Sequence, residues 1–132
     1  MSRALLVGID LVPIASIADS VKEFGDRFLC RIFTERELDY CRSRAASAAL
    51  ESFAARFAAK EAAIKALGVA DDGLDWRSIE VVRSPDGACS LRLDGAADEA
   101  AKRAGCERLE LSMSHAGDYA VALVVGLREG SI

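Results

Sequence analysis

Residues Phe53–Gly68 read FAARFAAKEAAIKALG, and the fold turns on how this stretch is read. At about 100° per residue, Phe53, Phe57, Ile64 and Leu67 fall on one stripe of a helix. Lys60 lies in the middle of that stripe, with Arg56 on one shoulder and Glu61, then Lys65, on the other. Most of the remaining circumference is alanine, where a solvent-facing helix carries charge. The pattern predicts a helix from about Ser47 to Leu67, packed nearly all round, with Gly68 as its C-terminal stop. Its four ionisable residues then need partners, because a charge in dry surroundings is costly alone.

The flanking segments supply the rest of the architecture. Residues 4–9 form a short, near-continuous apolar run, read as a strand buried on both faces. A helix follows from about Ile14 to Phe24, stopped near Gly25. Thr34-Glu35-Arg36-Glu37 matches the capping-box pattern and predicts another helix start. Beyond the long helix, strands near 78–83 and 88–93 flank the turn signal Ser84-Pro85-Asp86-Gly87. Residues 95–104 read as a helix ended by Gly105. Two last strands, about 107–113 and 118–126, join through Ser114-His115-Ala116-Gly117. Hairpin-linked strands with segregated helices give an α+β class, a mainly antiparallel sheet packed against a long central helix. With no linker or repeat, the 132 residues read as one domain, 1–132.

Charge and cysteine usage narrow the functional classes. Lys plus Arg number 17 against 21 Asp plus Glu, a net charge of -4, so a broad electrostatic grip on nucleic acid or an anionic membrane is not expected, while a local basic patch stays open. Cys30, Cys41, Cys89 and Cys106 show no C-x-x-C spacing, which implies free, mostly buried thiols in a reducing compartment. The opening apolar run is broken at once by Asp10, and Ala120–Leu127 is too short to span a bilayer. The expectation is a cytoplasmic protein.

Three polar intrusions carry the chemistry. Asp10 sits at the mouth of the first strand, where a carboxylate needs a hydrogen bond or a cation; capping the next helix serves that need equally well. Gly8, two residues earlier, permits close approach of another backbone or a ligand. On the long helix, Arg56 and Lys60, like Glu61 and Lys65, are spaced i, i+4 and also suit routine helix pairs. The alanine surroundings favour another use, a carboxylate that holds a metal while neighbouring cations hold an oxyanion. Mg²⁺ with phosphate fits that mixture, since Mg²⁺ binds one or two carboxylates plus substrate phosphates. His115, the single histidine, stands at a strand end before a glycine-containing connection. One histidine and scattered cysteines do not make a familiar zinc site. No G-x-S-x-G, Walker A or G-x-G-x-x-G motif is present.

Taken together, Gly8-Ile9-Asp10, Arg56-Phe57-Ala58-Ala59-Lys60-Glu61-Ala62 with Lys65-Ala66-Leu67-Gly68, and Ser114-His115-x-x-x-Tyr119-Ala120 form a specific constellation. In this order and length it closely resembles the holo-acyl-carrier-protein synthase group of 4′-phosphopantetheinyl transferases. The resemblance runs nearly end to end and includes Phe33-Thr34-Glu35-Arg36-Glu37-Leu38. It implies the phosphopantetheinyl transferase fold. It also implies transfer of the phosphopantetheine arm of coenzyme A to a serine of an acyl carrier protein, releasing adenosine 3′,5′-bisphosphate. By the same resemblance Asp10 and Glu61 are the metal ligands for Mg²⁺, and Lys65 approaches the phosphates. The resemblance assigns catalysis to Glu61 and Lys65. His115 meets the nucleotide and its 3′-phosphate, while Arg56, Lys60 and Gly68 complete the coenzyme A site, Arg56 and Lys60 by phosphate contact or by organising the site.

Relatives of this length resemble homotrimers with active sites between protomers, so His115 is expected to come from the neighbour of the chain supplying Asp10, Glu61 and Lys65. Longer relatives often carry a second acid two residues after the first metal ligand; Val12 stands there in this chain. The start of the first helix, Pro13-Ile14-Ala15-Ser16-Ile17, lacks the basic residues that many relatives use to dock the carrier, leaving Lys22, Arg27 and Arg31 for a smaller basic face. The hairpin turn also lacks the Gly-x-Pro often seen at the nucleotide edge. The general base stays open among water, Glu61 and Asp39. A second class of function stays open too, a catalytically silent coenzyme A or nucleotide-binding regulatory subunit.

Overall fold

The alanine-rich segment forms a single helix around which the remaining elements are arranged. The computed structural model describes residues 4–128. In chain order the elements are β1 (Leu5–Pro13), α1 (Ile14–Phe24), α2 (Asp26–Ile32), α3 (Glu35–Arg42), α4 (Ala46–Leu67), a 3₁₀ turn (Trp76–Ser78), β2 (Ile79–Arg83), β3 (Cys89–Leu93), α5 (Gly95–Arg103), β4 (Cys106–Ala116) and β5 (Tyr119–Arg128). Every pairing is antiparallel, in a three-stranded sheet ordered β1-β5-β4 and a separate β2-β3 hairpin. The expected α+β class stands, with the strands divided between two sheets. Two elements, α2 and the 3₁₀ turn, have no counterpart among those expected; at seven and three residues they are too short to display a helical period.

From Phe53 to Leu67 every residue of α4 is buried except Phe57, Glu61 and Lys65. Those three are spaced four apart, so the helix leaves one seam open along its length. Gly68 ends the helix in the left-handed region at φ 71°, its N–H bonding to the carbonyls of Ile64 and Lys65. The capping box at α3 also forms: Thr34 Oγ1 accepts from the Glu37 N–H at 3.3 Å and Glu37 Oε1 accepts from the Thr34 N–H at 2.9 Å.

The first strand departs from its expected burial. Leu6, Gly8 and Val12 face the core, while Leu5, Val7, Ile9 and Leu11 are 49–60% exposed within the single chain. Side chains alternate across a strand, and α4 covers just one face of this sheet. On the uncovered face Leu123 and Tyr119 of β5 add 39% and 47% exposure. The result is an apolar surface continuous across the β1-β5 pairing, in which Ile9 opposes Leu123.

The cysteines also differ from expectation. All four are free, but Cys41 alone is buried and Cys30 is exposed. Among the described residues no helix is long and apolar enough to cross a membrane.

Candidate active site

The site begins with a missing side chain. A Cβ placed on Gly8 would lie 1.8 Å from the Ala62 carbonyl oxygen and 2.8 Å from the Ala66 nitrogen, both main-chain atoms of α4. Glycine therefore lets β1 press against the C-terminal half of α4. Asp10 lies two residues on, on the same strand face, with its side chain 17% exposed. It does not cap α1, whose N-cap is Pro13 with no side-chain hydrogen bond. Instead Lys65 Nζ donates to Asp10 Oδ1 at 3.0 Å and to the Ile9 carbonyl at 3.0 Å.

Glu61 stands one turn before Lys65 on the open seam of α4. Burial raises its pKa, the negative charge of Asp10 raises it further, and Lys65 acts in the opposite direction. Two carboxylates that repel each other beside one ammonium make a natural seat for a hard cation. Among the described residues no group of three or more His, Cys, Asp or Glu side chains forms. A cation here would therefore have few protein ligands, which fits Mg²⁺, an ion that keeps several waters and takes phosphate oxygens.

Lys60 and Arg56 serve a different surface of α4. Lys60 is wholly buried, its Nζ 2.7 Å from Glu37 Oε1, and it donates to the carbonyls of Trp76, at 3.1 Å, and Ile79. Three ammonium hydrogens thus meet three acceptors. Burial lowers the Lys60 pKa, opposed by the attraction of Glu37. Of the two roles expected for Lys60, phosphate contact or organising the site, its enclosure suits the second: the ammonium is tied to α3 and the start of β2. Glu37 is likewise more than a cap residue, since its Oε2 accepts from the Val81 N–H at 2.9 Å.

Arg56 is 4% exposed, with its guanidinium 4.5 Å from the centre of the Tyr40 ring. Nη1 reaches the Ser52 carbonyl at 3.4 Å, while Nε is buried without a hydrogen-bond partner among the described residues. Arg36, Tyr40, Arg56 and Arg83 line a cavity of about 180 Å³. A cationic cavity with an unsatisfied donor favours an anionic ligand group. Arg83 and Tyr40 escaped the sequence reading because neither belongs to a local motif; only the packing of α3 and β2 against α4 joins them to Arg56.

His115 stands at the end of β4, opposite Ala120. Its Nδ1 is 3.1 Å from Glu51 Oε2 on the first half of α4. Ten residues separate Glu51 from Glu61, about 15 Å along the helix axis. The fold therefore unites Asp10, Glu61 and Lys65, places Arg56 on another shoulder of the helix, and leaves His115 apart within one chain. Gly68 lies one turn past Lys65, and a Cβ there would meet nothing within 4 Å.

The sequence pattern of the 4′-phosphopantetheinyl transferase superfamily matches residues 6–124. The chain belongs to this superfamily. Within the phosphopantetheinyl transferases it is 49% identical over 119 residues to the holo-[acyl-carrier-protein] synthase of Koribacter versatilis, covering 89% of this chain and 94% of that one. It is similar to a solved Chronobacterium ammoniagenes ACPS–CoA complex, with a TM-score of 0.82 and 32% identity over 96% of this chain and 99% of the other. It is also similar to the Helicobacter pylori holo-[acyl-carrier-protein] synthase in complex with coenzyme A, at a TM-score of 0.79 and 34% identity over 92% and 99%. The α+β arrangement described above is thus the phosphopantetheinyl transferase fold.

Proposed function

We propose that this protein is a holo-[acyl-carrier-protein] synthase, transferring the 4′-phosphopantetheine arm of coenzyme A to a serine of an apo-acyl carrier protein. One observation carries the reading: Gly8 seats Asp10 beside Glu61 and Lys65 at the open seam of α4, in a chain whose relatives include coenzyme A complexes. The serine oxygen forms a bond to the β-phosphorus of the pyrophosphate. The bond from that phosphorus to the bridging oxygen breaks, and adenosine 3′,5′-bisphosphate leaves. The serine proton is released overall.

Asp10 and Glu61 are the residues to hold Mg²⁺, which when bound supplies positive charge to the pyrophosphate oxygens. Lys65 already reaches this spot. Its ammonium can turn from Asp10 to the phosphates and offset the charge that grows on the leaving group, a contact worth most in the transition state. Arg56, with Arg83 and Tyr40 beside it, suits the phosphorylated nucleotide end. The open space beside Gly68 lets the ligand approach the main chain. Lys60 organises the site from within by holding α3 and β2 against α4.

The uncovered apolar face of β1 and β5 supports a homotrimer, because patches of this kind mark interaction surfaces. Assembly gives the separation of His115 from Asp10 a purpose: His115 serves the neighbour's nucleotide. Arg27 and Arg31, with Phe24 and Phe28, line a second cavity of about 250 Å³. Basic and aromatic groups there suit an acidic carrier helix, despite the net charge of -4 on the whole chain. The free thiols support a cytoplasmic setting for the reaction, and residues 1–132 act as one transferase domain. Incubating the protein with apo-carrier, coenzyme A and Mg²⁺, then weighing the carrier, tests the proposal. A gain of one phosphopantetheine is expected. Tight coenzyme A binding without modification of any carrier overturns it.

A further inference from the structure

Glu51 is a charge without a helical reason. The residues three and four positions away are Ala48, Ser47, Ala54 and Ala55, so no cation on α4 faces it. Its carboxylate instead crosses to β4, where Oε2 lies 3.1 Å from His115 Nδ1, and the pair is half-open, with side chains 35% and 49% exposed. Glu51 also lines, with Gly117 and Asp118 of the β4-β5 connection and Tyr119 at the start of β5, a cleft of about 530 Å³. Through Glu51 the imidazole is tied at one nitrogen to the wall of an open space.

We infer that Glu51 is a positioning residue that fixes the ring and tautomer of His115 and thereby sets recognition of the 3′-phosphate of coenzyme A. The hydrogen bond made by one ring nitrogen decides what the other can do. Glu51 accepts only, so at 3.1 Å it favours a hydrogen on Nδ1, and Nε2 is the nitrogen left for a ligand. A ring protonated at both nitrogens donates at both: Nδ1–H to Glu51 and Nε2–H to a phosphate oxygen. The Glu51 carboxylate balances the ring's charge from the side away from the ligand. Without that anchor the ring is free to rotate about χ1 and χ2, and the contact costs more ordering. The inference rests on the proposed role of His115 and adds to it the residue that aims the ring, on the same chain as His115.

The experiment compares coenzyme A with 3′-dephospho-coenzyme A as substrates for wild type, Glu51→Gln, Glu51→Ala and His115→Ala. Each variant is first checked for unchanged assembly and melting. Glu51→Ala is expected to lower the preference for coenzyme A about tenfold, in KM rather than kcat, the scale of one charge-assisted hydrogen bond. Glu51→Gln, which keeps an acceptor but not the charge, should fall between. Because His115 is the single histidine, its ¹⁵N signals need no assignment. Nδ1 should carry the hydrogen in the neutral ring of wild type and lose it in Glu51→Ala. If His115→Ala changes the preference and Glu51→Ala does not, or if the Nδ1 signal is the same in both proteins, the inference about Glu51 is overturned while the role of His115 stands. If His115→Ala leaves the preference intact, both fail.

Discussion

Replacing Gly8 by alanine adds one methyl group where the main chain of α4 already lies. The new carbon would sit 1.8 Å from the Ala62 oxygen, whereas a carbon approaches a carbonyl oxygen to about 3.3 Å. Strand and helix must therefore part by about 1.5 Å at the point where they position the site. Overpacking typically costs about 1–3 kcal/mol, and a rigid main-chain obstacle puts Gly8→Ala at or above the upper end. For a domain of this size that is a melting temperature lower by about 10 °C or more. The activity loss should be at least as large. Asp10 moves with β1 while Glu61 and Lys65 stay with α4, and a misplacement of about 1 Å costs on the order of a hundredfold. Adding Ala62→Gly should rescue nothing, because the atom met is a main-chain oxygen. Gly126→Ala makes a useful control: its Cβ first meets the Leu109 side chain at 2.8 Å, which can swing aside, so a milder effect is expected. Thermal melting and carrier modification by mass spectrometry measure both quantities. If Gly8→Ala melts and turns over like wild type, or like Gly126→Ala, this account of how the site is assembled is wrong.

Three further predictions concern the charges. Lys60→Met should destabilise the fold by about 3–5 kcal/mol in urea titrations, because it strands the buried Glu37 carboxylate; a loss under about 1 kcal/mol contradicts a structural Lys60. Glu61→Gln should nearly abolish turnover yet stabilise the metal-free protein above the ordinary glutamate pKa. A carboxyl whose pKa is raised by folding contributes stability below its unfolded value and loses it as pH rises through the folded one. The variant's melting advantage in EDTA should therefore be absent near pH 4 and grow toward pH 7; a pH-independent difference refutes the assignment. Finally, Glu61→Gln and His115→Ala proteins, silent alone at limiting coenzyme A, should regain activity once their subunits exchange. Random mixing in equal amounts leaves roughly a quarter of the interfaces with both residues intact, and no recovery despite proven exchange contradicts the shared site.

Local chemistry made most of this protein legible before any coordinates. The alternation of apolar and charged positions around α4, the Thr34 capping box, the Pro85-Asp86-Gly87 turn and Gly68 each announce a local conformation, since caps, turns and periodicity act over a few residues. The motif residues Asp10, Glu61 and Lys65 could likewise be named, because their motifs carry the family resemblance and each sits among apolar neighbours in the sequence. The use of a buried charge is another matter, for it depends on what faces it. Lys60 and Lys65 look alike in sequence, yet α3 encloses the first with Glu37 while β1 brings Asp10 to the second. The same limit applies to β1, whose apolar run says nothing about which face the chain itself covers. Arg83, Tyr40 and Glu51 stayed silent because their meaning lies in partners far away along the chain. What sequence alone determined was the identity of the elements and the chemistry on offer. Only tertiary structure decided which charges meet, because electrostatic pairing and burial depend on distance through space, and that distance is set by how closely Gly8 lets a strand approach a helix.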